Sequence, residues 1–188
     1  MIIAGNGTSR KKINLNLYNE TKIGCNAIYR DYYVDYLVCC DKSMVKEAHA
    51  NDITPVYTRE RWLADFNYQD VMSVPKLPYK GDKRLDDPFH WGSGPYAVLM
   101  GASLSENCKL IGFDLYGTNN HLNNIYADTN GYKSLYDEAV DWTYWVYQIA
   151  KVFEHFPNVQ FKIYNEQDWE CPNSWKKSNV KVDKLENL

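Results

Sequence analysis

Short apolar segments, each about the length of a β-strand, are separated by polar turns along most of this chain. They predict buried strands at 2–4, 22–25, 34–39, 54–57, 71–74, 109–113 and 159–164. The segment 159–164 alternates apolar and polar residues, whereas the others are more continuously apolar. The chain therefore carries at least seven candidate strands, spread from one end to the other.

Helical patterns fall between several of these strands. Ser43 can cap a helix over 44–50, and a second helical segment is expected around 60–66. An apolar helix is predicted over 93–104, because it opens on Gly and Ser with an early Pro. Apolar residues at helical spacing predict a longer helix over 135–156.

Strands that alternate with helices indicate an α/β fold with a mostly parallel sheet and helices on both faces. We expect one doubly wound, Rossmann-like domain over 1–166, followed by a polar C-terminal tail over 167–188. Residues 75–91 and 115–133 are interpreted as long surface loops, which are often functional at this length, and the second could serve as a lid. Ligands of such folds bind outside the carboxyl ends of the strands, so residues just after each strand are the candidates.

Composition excludes several classes of protein. The formal net charge is −3 and no basic stripe is present, so nucleic acid is not an expected partner. Five Cys residues without a CxxC pair argue against a disulfide framework and a zinc site. No apolar run approaches the roughly 18 residues of a membrane span, and none opens the chain as a signal segment would. A cytoplasmic setting is expected, and the compact chain would suit a phage-encoded protein.

Small and polar residues follow four of the predicted strands, and others open the apolar helix. The turn after the first strand lacks the third Gly of a dinucleotide fingerprint and the Gly-Lys-Ser/Thr of a P-loop. It still lets a ligand approach the backbone closely, as the other strand ends do. The predicted nucleotide-binding residues are Gly5, Asn6, Gly7, Ser9, Asn26, Asp41, Ser93, Gly94, Gly112, Phe113, Asp114 and Tyr116.

These residues together resemble the bacterial sialyltransferases of glycosyltransferase family 42 and the related 6-hydroxymethylpterin diphosphokinase-like proteins. The resemblance is carried by five short motifs in the same order along nearly the whole chain. They are Ile2-Ile3-Ala4-Gly5-Asn6-Gly7-x-Ser9, Cys25-Asn26-x-x-Tyr29, Ser93-Gly94 before an apolar helix, Gly112-x-Asp114-x-Tyr116, and Tyr126-Ala127-Asp128.

The resemblance implies a cytidine monophosphate sugar as donor, bound without a metal ion or other cofactor. Asn6 and Asn26 would then contact the phosphate or ribose, and Ser93 and Gly94 the sugar carboxylate or the nucleotide. Gly112, Phe113 and Asp114 would surround the base and ribose. Tyr116 and Tyr126 would lie near the phosphate or leaving group.

Two departures from the sialyltransferase pattern keep other functions open. That family uses a His as general base, and the matching place here holds Tyr132-Lys133-Ser134, so His90, His121 and Tyr126 are the catalytic candidates. The second departure is Asp41. Each of Asp41 and Asp114 is either a ligand contact or a cap, and as a pair they could hold Mg²⁺ in a phosphotransferase of the pterin kinase type.

Three functions follow from these observations. The first is a glycosyltransferase that moves a sugar from a nucleotide donor to a hydroxyl acceptor. The second is a magnesium-dependent phosphotransferase. The third is a non-catalytic protein that binds a nucleotide or interacts with a partner, which the missing His favours. The aromatic run at 142–147 also predicts a homo-oligomer interface on the helix at 135–156, because rings at consecutive positions face all sides of a helix.

Overall fold

The computed structural model describes residues 1–66 and 68–188, and in these ranges eight parallel strands form one sheet. The sheet order is β5-β4-β3-β2-β1-β6-β7-β8. The strands are β1 (Ile2–Ala4), β2 (Lys22–Cys25), β3 (Tyr36–Val38), β4 (Val56–Thr58), β5 (Val71–Ser73), β6 (Asn107–Ile111), β7 (Gln160–Asn165) and β8 (Val180–Lys184). The prediction of a doubly wound, Rossmann-like α/β fold is confirmed.

Both faces of the sheet are buried, which explains why the strands read as apolar runs. Successive side chains of a strand point to opposite faces. Ile3 therefore belongs to one core, while Ile2 and Ala4 belong to the other. Leu110 and Ile111 in β6 divide between the two cores in the same way.

In the part of the chain that the structure describes, three α-helices cover these faces, namely α1 (Lys42–Ala50), α2 (Ser93–Leu104) and α3 (Thr143–His155). α1 packs on one core, and α2 and α3 pack together on the other. α2 has the predicted bounds and is buried nearly all round. It lies so close to the sheet that a Cβ on Gly101 would come within 2.4 Å of Ile3 Cδ1. Among the described residues, no helix has the length and apolar character that crossing a membrane requires.

The helix predicted over 135–156 begins only at Thr143, so its first two turns were wrongly assigned. Asp141 Oδ1 accepts hydrogen bonds from the Thr143 amide at 2.9 Å and hydroxyl at 2.6 Å, which marks a helix start there. Upstream of it, Leu135 and Tyr136 are exposed and lie in turns instead of packing on the core. The helical spacing is real only from about residue 143 onward.

Other boundaries also differ from the predictions. Ser43 lies inside α1, and Asp41 occupies the cap position without a side-chain capping bond. The helical segment expected around 60–66 is a 3-10 helix, Glu60–Asp65. Residues 75–91 form a loop with two short 3-10 turns, Arg84–Asp86 and Pro88–His90.

The segment at 167–188, interpreted as a polar tail, contributes β8 to the sheet edge. β8 pairs in parallel with β7 over five residues. Trp175 is fully buried, and its ring nitrogen donates to the carbonyl of Val146 in α3 at 2.9 Å. The prediction failed because none of the five residues of this edge strand is fully buried, so the strand carries no continuous apolar run and resembles a loop.

The order of strands creates a switch point between β1 and β6. The chain adds β2 to β5 on one side of β1, then returns to place β6, β7 and β8 on the other side. This is the Rossmann order with two further strands beyond the third. In such sheets a crevice opens outside the carboxyl ends of the two strands at the switch point. Here those ends lead into Gly5 and Gly112.

Candidate functional site

A cleft of about 280 Å³ lies at this switch point, at the small end of the range for small-molecule sites. The structure brings ten of the twelve predicted binding residues to its wall. They are Gly5, Asn6, Gly7, Asn26, Asp41, Ser93, Gly94, Gly112, Phe113 and Asp114. The strand-end rule therefore assembles in one place residues that are more than 100 positions apart in the chain.

Two glycine turns form the floor of the cleft by backbone contact. The Gly7 amide donates to the Gly112 carbonyl at 2.9 Å. A Cβ on Gly5 would lie 2.5 Å from the Gly112 oxygen, so no larger residue fits there. Gly112 has φ +67° in the left-handed region, which also favours glycine. The turns thus present backbone, and little side chain, to the cleft.

Asp114 connects the turn after β6 to the turn after β1 through hydrogen bonds from Ser9. One carboxylate oxygen accepts from the Ser9 amide at 2.9 Å, and the other accepts from the Ser9 hydroxyl. Asp114 is only 7% exposed, and the ring nitrogen of Trp169 donates to its carbonyl at 2.8 Å. Ser9 itself does not line the cleft, because its hydroxyl is hydrogen-bonded to Asp114.

A hydrogen bond between Ser93 and Asn26 connects the start of α2 to the end of β2. The Ser93 hydroxyl donates to Asn26 Oδ1 at 2.7 Å and accepts from the Cys40 amide at 2.8 Å. Asn26 has φ +48°, a left-handed conformation that Asn tolerates better than most residues. Because its Oδ1 is engaged, its Nδ2 is left as a donor on the cleft wall, without a partner in the described chain.

Asn6 supplies an unsatisfied acceptor. Its Nδ2 donates to the Cys25 carbonyl at 3.0 Å, which fixes the amide. Its Oδ1 is buried and has no hydrogen-bond partner among residues 1–66 and 68–188. A buried polar atom without a partner costs free energy, so a native site that keeps one commonly pairs it with water, an ion or a ligand.

The start of α2 adds backbone donors to the same wall. Gly92, Ser93 and Gly94 line the cleft with their backbone, Pro95 beside them has no N–H to donate, and the helix has no side-chain cap. The first amides of a helix have no partner within it and carry the positive end of its dipole. An anion in the cleft would face these amides.

Arg59 is a cleft residue that the sequence predictions missed. It comes directly after β4, and its guanidinium donates to the carbonyls of Cys40 and Trp91. It also stacks 4.4 Å from the ring centre of Trp62, while its Nε is buried without a partner in the described residues. The same rule that selected Asp41 would have selected it, had the strand been placed to end at residue 58.

Trp145, Asn123 and Asn124 complete the wall and were also missed. Trp145 lies on α3, beside the first turn of α2. Asn123 Oδ1 accepts from the Thr8 amide at 2.8 Å, which joins the loop 115–133 to the turn after β1. Asn124 Oδ1 accepts from the Tyr126 amide at 2.9 Å, within that loop. The amide nitrogens of both Asn side chains have no partner in the described chain, so both can donate to a ligand.

The three predicted catalytic residues lie outside the cleft. His90 Nε2 is 3.3 Å from Arg84 Nε, and His121 Nδ1 is 3.0 Å from the Tyr136 carbonyl. Tyr126 is buried, donates to Asp31 and accepts from Arg10. Burial and the bond to Asp31 raise its pKa, so its hydroxyl stays neutral. Tyr116 also lies outside and donates to the Glu170 carbonyl.

The two cysteines of the cleft are not activated nucleophiles. Burial raises the pKa of the Cys25 thiol to about 12, and that of Cys40 to about 12 as well, although Arg59 acts in the opposite direction on Cys40. A catalytic cysteine needs a lowered pKa. Within the described residues, no group of three or more His, Cys, Asp or Glu is arranged to hold a metal ion.

Comparison with protein-family models, with curated proteins and with solved structures finds no match to this chain.

Proposed function

We propose that the cleft binds a nucleotide-linked sugar without a metal ion and that the protein is a nucleotide-sugar-dependent glycosyltransferase. The observation that carries the proposal is the pairing of a donor-rich wall with one buried, unsatisfied acceptor, Asn6 Oδ1. A phosphate suits the donors, and a sugar hydroxyl or a base amino group suits the acceptor. The motif resemblance to bacterial sialyltransferases favours a cytidine monophosphate sugar.

The phosphate would lie between the first amides of α2 and the Arg59 guanidinium, both of which favour negative charge. The ribose or base would lie over the glycine turns, within reach of Asn6. Both oxygens of Asp114 already accept from Ser9, which makes it a poor ligand for Mg²⁺. This engagement supports metal-free binding over the magnesium-dependent phosphotransferase.

Transfer also needs a group that accepts the proton of the attacking hydroxyl. Asp41 is exposed, lines the cleft, and forms no hydrogen bond or ion pair through its carboxylate with described residues. In the proposed step the acceptor oxygen attacks the anomeric carbon, the bond from that carbon to the phosphate oxygen breaks, and the nucleotide leaves with the electron pair. Asp41 takes the proton of the hydroxyl, in place of the missing His.

A non-catalytic nucleotide-binding protein is the second candidate. It is favoured by one observation, that His90, His121 and Tyr126 all lie outside the cleft. Donor turnover separates the two candidates, since both bind nucleotide. If Asp41→Asn retains binding but loses transfer, Asp41 is the base and the protein is an enzyme.

The first test is a thermal-shift screen of the purified protein against CMP, CDP, UDP, GDP and ATP, each with and without Mg²⁺. We expect a nucleotide, CMP above all, to raise the melting temperature without metal, because a ligand that binds only the native state stabilises it. A shift that requires Mg²⁺ would support the phosphotransferase. No shift with any nucleotide at millimolar concentration would overturn the proposal.

A further inference from the structure

A second, larger cavity of about 630 Å³ lies beside the cleft at the same edge of the sheet. Its wall consists of residues 59–61 after β4, much of the segment 73–89 after β5, and Tyr96 of α2. Arg59 lines both cavities. Arg59 is therefore the residue that the two cavities share, and it marks the border between them.

The wall of this cavity is positively charged. It carries five cationic side chains, Arg59, Arg61, Lys76, Lys80 and Lys83, against three carboxylates. In the described part of the chain, Arg61, Lys80 and Lys83 form no ion pair within 4.0 Å, and the Lys76 contact to Glu60 is long, at 3.9 Å, and exposed. This cluster stands out because the whole chain has a net charge of −3.

The carboxylates of the wall do little to offset these cations. Asp86 is 7% exposed and accepts from the Tyr147 hydroxyl at 2.9 Å and the Lys83 amide at 3.1 Å, so its charge is enclosed by the protein. Asp87 accepts from the Phe89 amide at 2.8 Å, which uses one of its oxygens to hold a turn. Glu60 is the third carboxylate and is exposed.

An aromatic ring adds an apolar surface next to the cations. Phe89 is 37% exposed, and the guanidiniums of Arg61 and Arg59 lie 4.2 Å and 5.4 Å from its ring centre. These contacts orient the Arg side chains along the wall. The Arg59 Nε is buried and lacks a partner among the described residues, which leaves a charged donor unsatisfied at the border of the two cavities.

We propose that this second cavity is the site of an anionic acceptor, a small hydroxyl compound that carries a phosphate or a carboxylate. The role as acceptor rests on the proposed glycosyltransferase function, whereas the binding of the anion does not. Arg61, Lys80 and Lys83 hold the anionic group, and Arg59 faces the border where acceptor hydroxyl and donor sugar meet. Asp41 lines the cleft on the other side of that border, where it can take the proton of the hydroxyl.

The test uses three probes that share one ring: glucose 6-phosphate, glucuronic acid and uncharged glucose. Each is titrated by calorimetry into the wild type, into Arg61→Ala/Lys80→Ala, and into the control Lys11→Ala/Lys181→Ala. The control also removes two positive charges, but from exposed positions outside both cavities. CMP, or the best nucleotide from the screen, is titrated into the same three proteins.

We expect at least one of the two acids to bind the wild type and the control, and glucose to bind neither measurably. The Arg61→Ala/Lys80→Ala variant should lose about tenfold or more in affinity for the acid, since each removed contact is charge-assisted. It should bind nucleotide as the wild type does, which also shows that it is folded. The phosphate and carboxylate probes then identify the anion.

Three results would overturn the proposal: neither acid binds, the double variant binds the acid as well as the control does, or nucleotide competes with the acid for one site. If nucleotide fails to bind while the acid still requires Arg61 and Lys80, the anion site stands and the proposed donor function falls. The two proposals thus fail separately.

Discussion

Asp114 holds the floor of the cleft through one carboxylate. The sequence predicts it as a ligand contact, and the structure does place it at the cleft, but both its oxygens accept from Ser9. Asp41, predicted on the same grounds, is exposed and makes no such bond. The position after a strand predicts that a carboxylate lies at the cleft. Whether the carboxylate is free to bind a ligand depends on the hydrogen bonds it forms with its neighbours.

Replacement of Asp114 by Ala should therefore affect the fold. We expect Asp114→Ala to lower the free energy of unfolding by about 3 kcal/mol, because two buried donors of Ser9 lose a charged acceptor. Asp41→Ala, the matched control on the same wall, should change it by no more than about 0.5 kcal/mol. Urea unfolding measures both free energies. Equal losses in the two variants would show that the hydrogen bonds of Asp114 do not stabilise the two turns.

Arg59 is a cleft residue whose side-chain direction a sequence pattern does not predict. Its place after β4 is readable, but β4 is three strands away from β1 in the sheet. It reaches the cleft only because its long side chain runs past the carbonyls of Cys40 and Trp91. The direction of a long side chain depends on tertiary contacts, which no local pattern contains.

At the scale of elements, β8 and the end of α3 depend on one Asn. Asn179 is 5% exposed, and its Nδ2 donates to the carbonyls of Phe153, Phe156 and Val159 at 3.0 to 3.2 Å. The last carbonyls of a helix lack partners within it, so this amide closes α3 and joins it to the strand that follows.

We expect Asn179→Ala to cost about 2 kcal/mol in the free energy of unfolding, because three carbonyls, two of them in buried hydrogen bonds, lose their donor. Asn173→Ala, in an exposed part of the same segment, is the control and should be close to neutral. Thermal unfolding of the two variants compares them. A neutral Asn179→Ala would show that this amide does not stabilise the junction of α3 and β8.

A second link between elements joins α1 to the turn after β2 and to the loop 115–133. Arg30 forms an ion pair with Glu47 of α1 and donates to Thr129 and to the Asn130 carbonyl. Burial acts to raise the pKa of Glu47, but hydrogen bonds from Tyr29 and Arg30 outweigh it and lower the pKa below 4.5. The pair therefore stabilises the fold while Glu47 is ionised.

This link predicts a pH dependence with a defined sign. A lowered native pKa contributes stability that is complete above the unfolded pKa of about 4.5 and is lost as pH falls through the native value. Glu47→Gln should destabilise by about 1 kcal/mol near pH 7, a small value because such pairs are partly screened. The difference from wild type should shrink by about pH 3 in urea unfolding. A constant difference at both pH values would show that the charge of Glu47 is not responsible.

At the scale of the molecule, the switch point between β1 and β6 decides where the site forms. The sequence predicts seven of the eight described strands, the parallel sheet and ten of the cleft residues, because buried strands and glycine turns leave local signals. It does not predict Trp145, which reaches the cleft only through the packing of α3 on α2. It also misplaces His90 and His121, because the path of a long loop is set by contacts that are distant in sequence.

The aromatic run of α3 has a similar explanation. Trp142 packs edge-on against Tyr116, Trp145 lines the cleft, and Tyr147 donates to Asp86. These rings therefore have partners within their own chain. A homo-oligomer through this helix remains a prediction, and the molecular mass in solution tests it.

Filling the cleft with a larger side chain and measuring nucleotide binding is the most direct test of whether the cleft binds the nucleotide. A Cβ on Gly94 meets only Phe113, at an ordinary 3.5 Å, so Gly94→Leu should fold while its side chain occupies the cleft. Ser103→Leu, at the exposed far end of the same helix, is the control. By calorimetry we expect Gly94→Leu to lose about tenfold or more in nucleotide affinity, with an unchanged melting temperature, while the control binds as the wild type does. Unchanged nucleotide binding by a folded Gly94→Leu would contradict the assignment of this cleft as the ligand site.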